Sequence, residues 1–171
     1  LGLLLVKSSI SALLKDAGMN EKELKSAGLV PVPETRSLTT KDNEYIAKGY
    51  VISQEPAATS AEKTPEGTEV KYYVSDGTIT LDAAIDTSNI DTTLGSVKLS
   101  LWVDNKPIAE SETVDANFIK GYVFKNIKLE DKSVYATVKI RSTSDPNAPY
   151  KDFQDVKIDA MSGKVSITKK Y

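Results

Sequence analysis

The side chains in this sequence that can do acid–base, nucleophilic or metal chemistry are carboxylates, lysines, tyrosines and hydroxyls, because the 171-residue chain contains no histidine and no cysteine. That inventory removes structural zinc, thiolate nucleophiles, haem ligation and the Ser-His-Asp arrangement. Only a carboxylate cage is left for a metal, and such a cage selects hard cations. Asp82, Asp86 and Asp91 are the most conspicuous acidic set, yet their spacing lacks the tight alternation and the glycine of a calcium loop. They read as solvated carboxylates at a strand exit. Asp152, Asp155 and Asp159 read the same way, since a strand alternates its side chains and would scatter them over both faces. Glu110 and Glu112 share one side of an expected strand and form the pair that acid–base catalysis would need. No neighbouring residue points to a cleft around them. Gly77, Gly95, Gly121 and Gly163 stand alone in turns, so there is no phosphate-cradling loop. The expectation is a non-enzyme with no catalytic residues, no metal and no cofactor.

Binding chemistry is better represented. Tyr45, Tyr50, Tyr72 and Tyr73 fall close together in the first half, where Arg36 is the sole arginine. Aromatic faces with a few oriented polar groups bind sugar rings and peptides, and a bidentate arginine grips a carboxylate. By strand alternation one of Tyr72 and Tyr73 must face a core. Trp102 reads as core filler or as a contact between domains. With 22 Lys+Arg against 24 Asp+Glu, the net charge is −2 and no cluster marks a nucleic-acid footprint.

Two stretches of different grammar must position these groups. The sequence begins at Leu1 without a methionine, which reads as a fragment of a longer protein or a processed product. The apolar run Leu1 to Val6 is far short of the ~20 residues of a membrane span and lacks the charged flank of a signal peptide. It reads as an edge strand or a helix lead-in. Two short helices follow: one capped by Ser8 or Ser9 and stopped at Gly18, the next capped by Asn20 with Glu23 closing a box and Ala27-Gly28 ending it. Leu24 and Leu29 must then pack on a sheet, because a helix this short is unstable alone. Gly49 to Gln54 supplies one strand and Thr68 to Ser75 another, joined through a turn at Pro65-Glu66-Gly67. The grammar changes at Ser75-Asp76-Gly77, which reads as a turn between domains 1–77 and 78–171.

In the second stretch, Ile79 to Ile85 and Val97 to Val103 alternate apolar with polar residues. Asp104-Asn105-Lys106-Pro107 reads as a hairpin turn, with Ile108 starting the return strand. Tyr122 to Leu129, Val134 to Ile140, Phe153 to Ile158 and Lys164 to Thr168 complete about seven short strands, which argue for an antiparallel β-sandwich.

Lys48-Gly49-Tyr50-Val51-Ile52-Ser53-Gln54-Glu55-Pro56, Glu66-Gly67-Thr68-Glu69-Val70 and Tyr73-Val74-Ser75-Asp76-Gly77 stand in an order that resembles the PASTA domain, the module of penicillin-binding proteins and bacterial membrane Ser/Thr kinases. The resemblance covers roughly residues 8–77. Ala27-Gly28-Leu29 and Ala17-Gly18-Met19 both fit the family's helix terminus. Two features depart from the pattern: Ala57-Ala58-Thr59 has no turn glycine, and Thr59 to Pro65 is longer than usual. The resemblance implies an α+β PASTA-like module followed by an all-β, immunoglobulin-like sandwich, similar to the C-terminal extracellular end of a Gram-positive PASTA kinase. It implies peptidoglycan fragments as partners, with Arg36, Tyr45 and Gln54 as the residues to test first. It implies a place outside the cell membrane, at the cell wall. The alternative is a spacer or protein-interaction module of a kinase or penicillin-binding protein, with partners at the cell surface and no glycan binding.

Overall fold

The computed structural model describes residues 16–56 and 65–171, which form mostly antiparallel β-sheets with one short helix. The run Leu1 to Val6, the start of the first expected helix at Ser8 or Ser9, and the Ala57-Ala58-Thr59 turn lie outside the described residues. The chain divides into two compact units, one ending at Leu38 and resuming over Glu44–Thr78, the other comprising Thr39–Asn43 and Ile79–Tyr171.

In the first unit, helix α1 (Ala17–Ser26) starts four residues earlier than expected, with its cap at Asp16 and not Asn20. Asp16 is its N-cap, accepting from the amides of Gly18 and Met19. Asn20 therefore sits inside the helix, buried, and Gly18 lies in the first turn and does not stop it. The cap was misplaced because an aspartate two residues ahead of a glycine offers the same local hydrogen bonds that favour asparagine. The C-terminus is as expected. Gly28, at φ 74°, donates to the Lys25 carbonyl, and Leu29 donates to Leu24, the two bonds of a Schellman closure. That closure brings Leu24 and Leu29 together over Val70 and Tyr72 as the unit's buried cluster.

The strands behind the helix are β1 (Val30–Thr39), β2 (Val51–Glu55) and β3 (Glu69–Asp86), ordered β1-β3-β2. β1 was not expected, since it opens with Pro31 and Pro33. It survives because, among the described residues, it lies at the edge of its sheet, where a missing amide donor costs no ladder bond. The Ser75-Asp76-Gly77 turn is also overturned: β3 is one continuous strand of 18 residues. Gly77 takes φ 87° and Asp76 accepts from the Thr78 amide, so a turn-like sequence is held extended. The Ser75 hydroxyl donates to the Ile46 carbonyl at 2.7 Å, fixing the segment that precedes β2.

The second unit contains the rest of β3, then β4 (Ser96–Val103), β5 (Lys106–Glu110), β6 (Val114–Asp115), β7 (Gly121–Leu129), β8 (Ser133–Ser142), β9 (Lys151–Asp159) and β10 (Lys164–Lys170). Strand β7 pairs with β3 from Ile79 onward, and a second sheet runs β10-β9-β8-β4-β5 with β6 on β4. Alternation does what the sequence implies. Val97, Leu99, Leu101, Val138, Val156 and Ile158 are fully buried on one sheet, and Ile79, Leu81, Phe124 and Ile127 are buried on the other. Asp104 and Asn105, at φ 49° and 60°, form the two-residue turn between β4 and β5, whose twist suits a hairpin.

The acidic residues serve as local braces. Asp82 accepts from the Asn126 amide where β7 bulges, Asp86 accepts from Ser88, and Asp91 caps the short 3-10 turn Thr92–Leu94. Hydrogen bonds from Ser88 and Thr93 hold the Asp86 and Asp91 carboxyls below the usual carboxylate range. No group of three or more acidic residues able to hold a metal occurs among the described residues. No helix among them is long and apolar enough to cross a membrane.

Candidate functional site

Alternation on β3 decides which tyrosine is available. Tyr72 is 1% exposed in the first unit's core, so Tyr73 lies on the opposite, solvent-side face. There its ring is flanked by two cations. The Arg36 guanidinium lies 5.6 Å from the ring centroid and the Lys71 ammonium 5.4 Å. Lys71 also pairs with Glu34 at 2.8 Å, and that hydrogen bond raises its pKa. Arg36 donates to the Ser37 carbonyl at 2.9 Å, which fixes one edge of the guanidinium. Ser53 and Glu55 of β2 are the strand partners of Tyr73 and Lys71, so they extend the same face.

Of the three residues singled out from sequence, only Arg36 belongs to this face. Gln54 pairs with Tyr72 on the core side, is buried, and donates to the Pro56 carbonyl at 3.5 Å across the cis Glu55–Pro56 peptide. Its role in the structure is to brace the end of β2. Tyr45 is half-buried in the segment between β1 and β2. Tyr50 is 37% exposed and bridges to Asp16 at the helix start.

The second unit carries a larger polar network on the outer face of its six-stranded sheet. Trp102, half-buried, meets Tyr150 edge-on at 6.4 Å, with the Lys139 ammonium 4.6 Å above its ring. Arg141 covers Tyr150, whose hydroxyl donates to Glu110 at 2.6 Å, and Lys98 donates to the other Glu110 oxygen at 2.9 Å. These two donors, Tyr150 first, hold the Glu110 carboxyl below its ordinary range. Glu112 lies beyond the end of β5 and accepts from Tyr122 at 2.8 Å. The two glutamates thus have separate partners and form no acid–base pair.

No protein-family model matches this chain. A stretch of 67 residues is 42% identical to the chaperone protein ClpB of Bacteroides thetaiotaomicron, covering 38% of this chain and 8% of that protein. Among solved structures, the entire extracellular region of the Ser/Thr kinase PrkC from Staphylococcus aureus aligns with 84% of this chain and 48% of its own, at 18% identity and a TM-score of 0.29. The chain therefore spans less than a tenth of the chaperone and under half of the kinase region.

Sequence reasoning missed the second unit's acidic pair. Asp152 and Asp155, three residues apart, ought to face opposite sides of β9. Instead Thr137 pairs with Asp155 and Val138 with Gln154, while Lys139 pairs with Asp152, so the register slips by one residue. Phe153 and Gln154 are consecutively buried, and both aspartates turn outward. Such a bulge inserts one residue and resets the alternation after it. The one hint in the sequence is a glutamine where the apolar phase needs a core residue; its Nε2 donates to the Asp86 carbonyl at 3.2 Å, while its buried Oε1 has no partner among the described residues.

Proposed function

We propose that this chain is a non-catalytic recognition segment of a larger membrane Ser/Thr protein kinase, placed outside the cell at a Gram-positive wall, whose first unit is a PASTA-like module contacting peptidoglycan fragments. The second unit is then the immunoglobulin-like sandwich of the same extracellular region. The absence of imidazole and thiol groups fits a segment whose chemistry resides elsewhere in the protein. The ordered motifs from Lys48 to Gly77 support the module.

The observation that carries the reading is the Tyr73 ring between Arg36 and Lys71. An aromatic face supports the apolar side of a sugar or peptide, and a guanidinium beside it meets a carboxylate in a bidentate fork. The binding energy would come from a few oriented groups, since the net charge is small.

Titration of the isotope-labelled chain with defined muropeptides tests this. Saturable amide shifts confined to Arg36, Tyr73 and their strand neighbours are expected, weakened by Arg36→Lys, which keeps the charge and removes the fork. An absence of shifts at millimolar muropeptide overturns it. The second reading is a spacer or protein-interaction module of a kinase or penicillin-binding protein without glycan binding. The Glu34–Lys71 ion pair favours it, because Lys71 is already engaged within the protein.

A further inference from the structure

A groove of about 440 Å³ opens on the second unit's six-stranded sheet, apart from the Arg36 face. Its floor is set by side-chain size. Thr137 lies opposite Trp102 on β4 and Asp155 on β9, with Tyr135 and Lys139 two residues away along its own strand. Cross-strand and i±2 neighbours share a face, so Thr137 among three large side chains, Trp102, Tyr135 and Lys139, leaves a depression with Asp155 at its edge. The β9 bulge adds Asp152 to the rim, and the β4–β5 turn adds Asp104. The charged groups lining the groove are thus three carboxylates and one lysine.

One ammonium already sits there. Lys139 Nζ lies 4.6 Å from the Trp102 ring centroid and 3.2 Å from Asp152 Oδ1, an aromatic face and a carboxylate holding one cation. The neighbouring carboxylate has no such partner. Asp155 accepts hydroxyl hydrogens from Thr137 and Tyr171, each at 2.8 Å, and no cation pairs with it among the described residues. Its strand partner Lys169 directs its ammonium over the Tyr171 ring, at 4.0 Å. A carboxylate offers about four lone-pair sites, so two hydroxyl donors leave capacity for a further donor. Beside it Tyr135 is 67% exposed, an aromatic wall with Lys157 at 5.6 Å.

We propose that this groove binds a primary ammonium on an aliphatic stem, as in a lysine side chain of a partner peptide, with the cation on Asp155 and the stem along Tyr135. Charge complementarity selects that occupant. A phosphate or carboxylate placed against Asp155 would meet a like charge with no cation paired to it, whereas an ammonium there gains from both the carboxylate and the ring quadrupole, Lys157 and Lys169 being turned to the Tyr135 and Tyr171 rings. Lys139 serves as the internal example of the geometry and as a competitor for Asp152.

The test is a titration of the whole isotope-labelled chain with Nα-acetyl-lysine N-methylamide, against two controls: the norleucine analogue, which has no ammonium, and the methyl glycoside of N-acetylglucosamine. The lysine probe alone is expected to shift the Trp102 indole N–H and the Thr137 and Asp155 amides saturably, and added salt should weaken it. Asp155→Asn should weaken binding about threefold to fivefold, the scale of an exposed ion pair. Lys139→Met keeps the stem over Trp102, frees Asp152, and should tighten binding by a similar factor. If Asp155→Asn loses amide dispersion, Asp104→Asn on the exposed turn takes its place. The proposal is overturned by an absence of saturable shifts with the lysine probe, by equal shifts from norleucine, or by shifts from the glycoside alone. It is equally overturned if the acid variant and Lys139→Met both bind as the parent does.

Discussion

Among its described residues the first unit gathers Leu24, Leu29, Val70 and Tyr72 under a ten-residue helix, with Leu38 and Ile46 also buried, whereas the second buries whole alternating rows between two sheets. Both use the same alternation, but they distribute its consequences differently. The small unit buries fewer apolar side chains among the described residues, so one truncation removes a larger share of the burial. In the sandwich the loss of one side chain is surrounded by rows that remain packed. Small modules are marginal for this reason, and their local devices, caps and positive-φ glycines, matter in proportion.

Truncating one large core residue in each unit gives the largest expected effect. Tyr72→Ala is expected to cost about 3–5 kcal/mol, and Leu99→Ala about 2–5 kcal/mol. Trp102 is the only tryptophan and lies in the second unit, so its fluorescence follows the sandwich, while α1, the one α-helix among the described residues, contributes to the helical circular dichroism. Tyr72→Ala should abolish the helical signal at ambient temperature and leave the Trp102 transition in place, whereas Leu99→Ala should lower a Trp102 transition that remains cooperative. Coincident loss of both signals in Tyr72→Ala would break the comparison.

A smaller effect is expected at the helix end. Gly28→Ala forces a Cβ onto φ 74° and to within 2.8 Å of the Glu66 side chain, which can swing aside. The backbone cost alone is about 1–2 kcal/mol, read as a lower denaturation midpoint of the helical signal. Asp16→Ala removes the acceptor for two helix amides and should cost about 1 kcal/mol in the same assay. A midpoint unchanged in both variants would mean that α1 contributes nothing to the first unit's stability.

The smallest effect is a pH dependence in the second unit. Tyr150 and Lys98 lower the folded-state pKa of Glu110, so its contribution is present above the unfolded value and disappears as pH falls through the folded one. Tyr150→Phe removes the larger cause. Side-chain carboxyl NMR should show Glu110 titrating at higher pH in that variant, and the acid limb of the unfolding midpoint should flatten. An unmoved titration would show that the Tyr150 hydroxyl does not hold the carboxylate in solution.

The rows of the sandwich were legible because strict two-residue alternation leaves few alternatives, and the Asp104-Asn105 turn announces a hairpin. The Schellman end of α1 was legible for the same reason, a glycine after an apolar helical face. What escaped were features decided by tertiary position. β1 reads as a breaker segment until its edge place excuses Pro31 and Pro33. Ser75-Asp76-Gly77 has turn chemistry, yet the Ser75 bond to Ile46 and the β2 and β7 ladders keep it extended. Tyr73 became a ring between two cations only when β1 was set beside β3. Of the three residues chosen from sequence, Arg36 stands on that face and Gln54 is turned inward, because the motif that draws attention to Gln54 sits in the phase of β2 that faces Tyr72.

The β9 bulge makes length, more than identity, the sensitive variable of the second unit. A polymerase slip that removed one codon at Phe153 or Gln154 would restore unbroken two-residue phase to the strand, so that one of the two outward aspartates would be driven toward the sheet interior. Ordinary point changes on that rim alter one group at a time, whereas a single-codon deletion would dismantle the groove's acidic side in one event. Relatives of this chain should therefore tolerate varied residues along β9 while keeping its residue count fixed, and a length polymorphism there would mark lineages in which the groove has been abandoned.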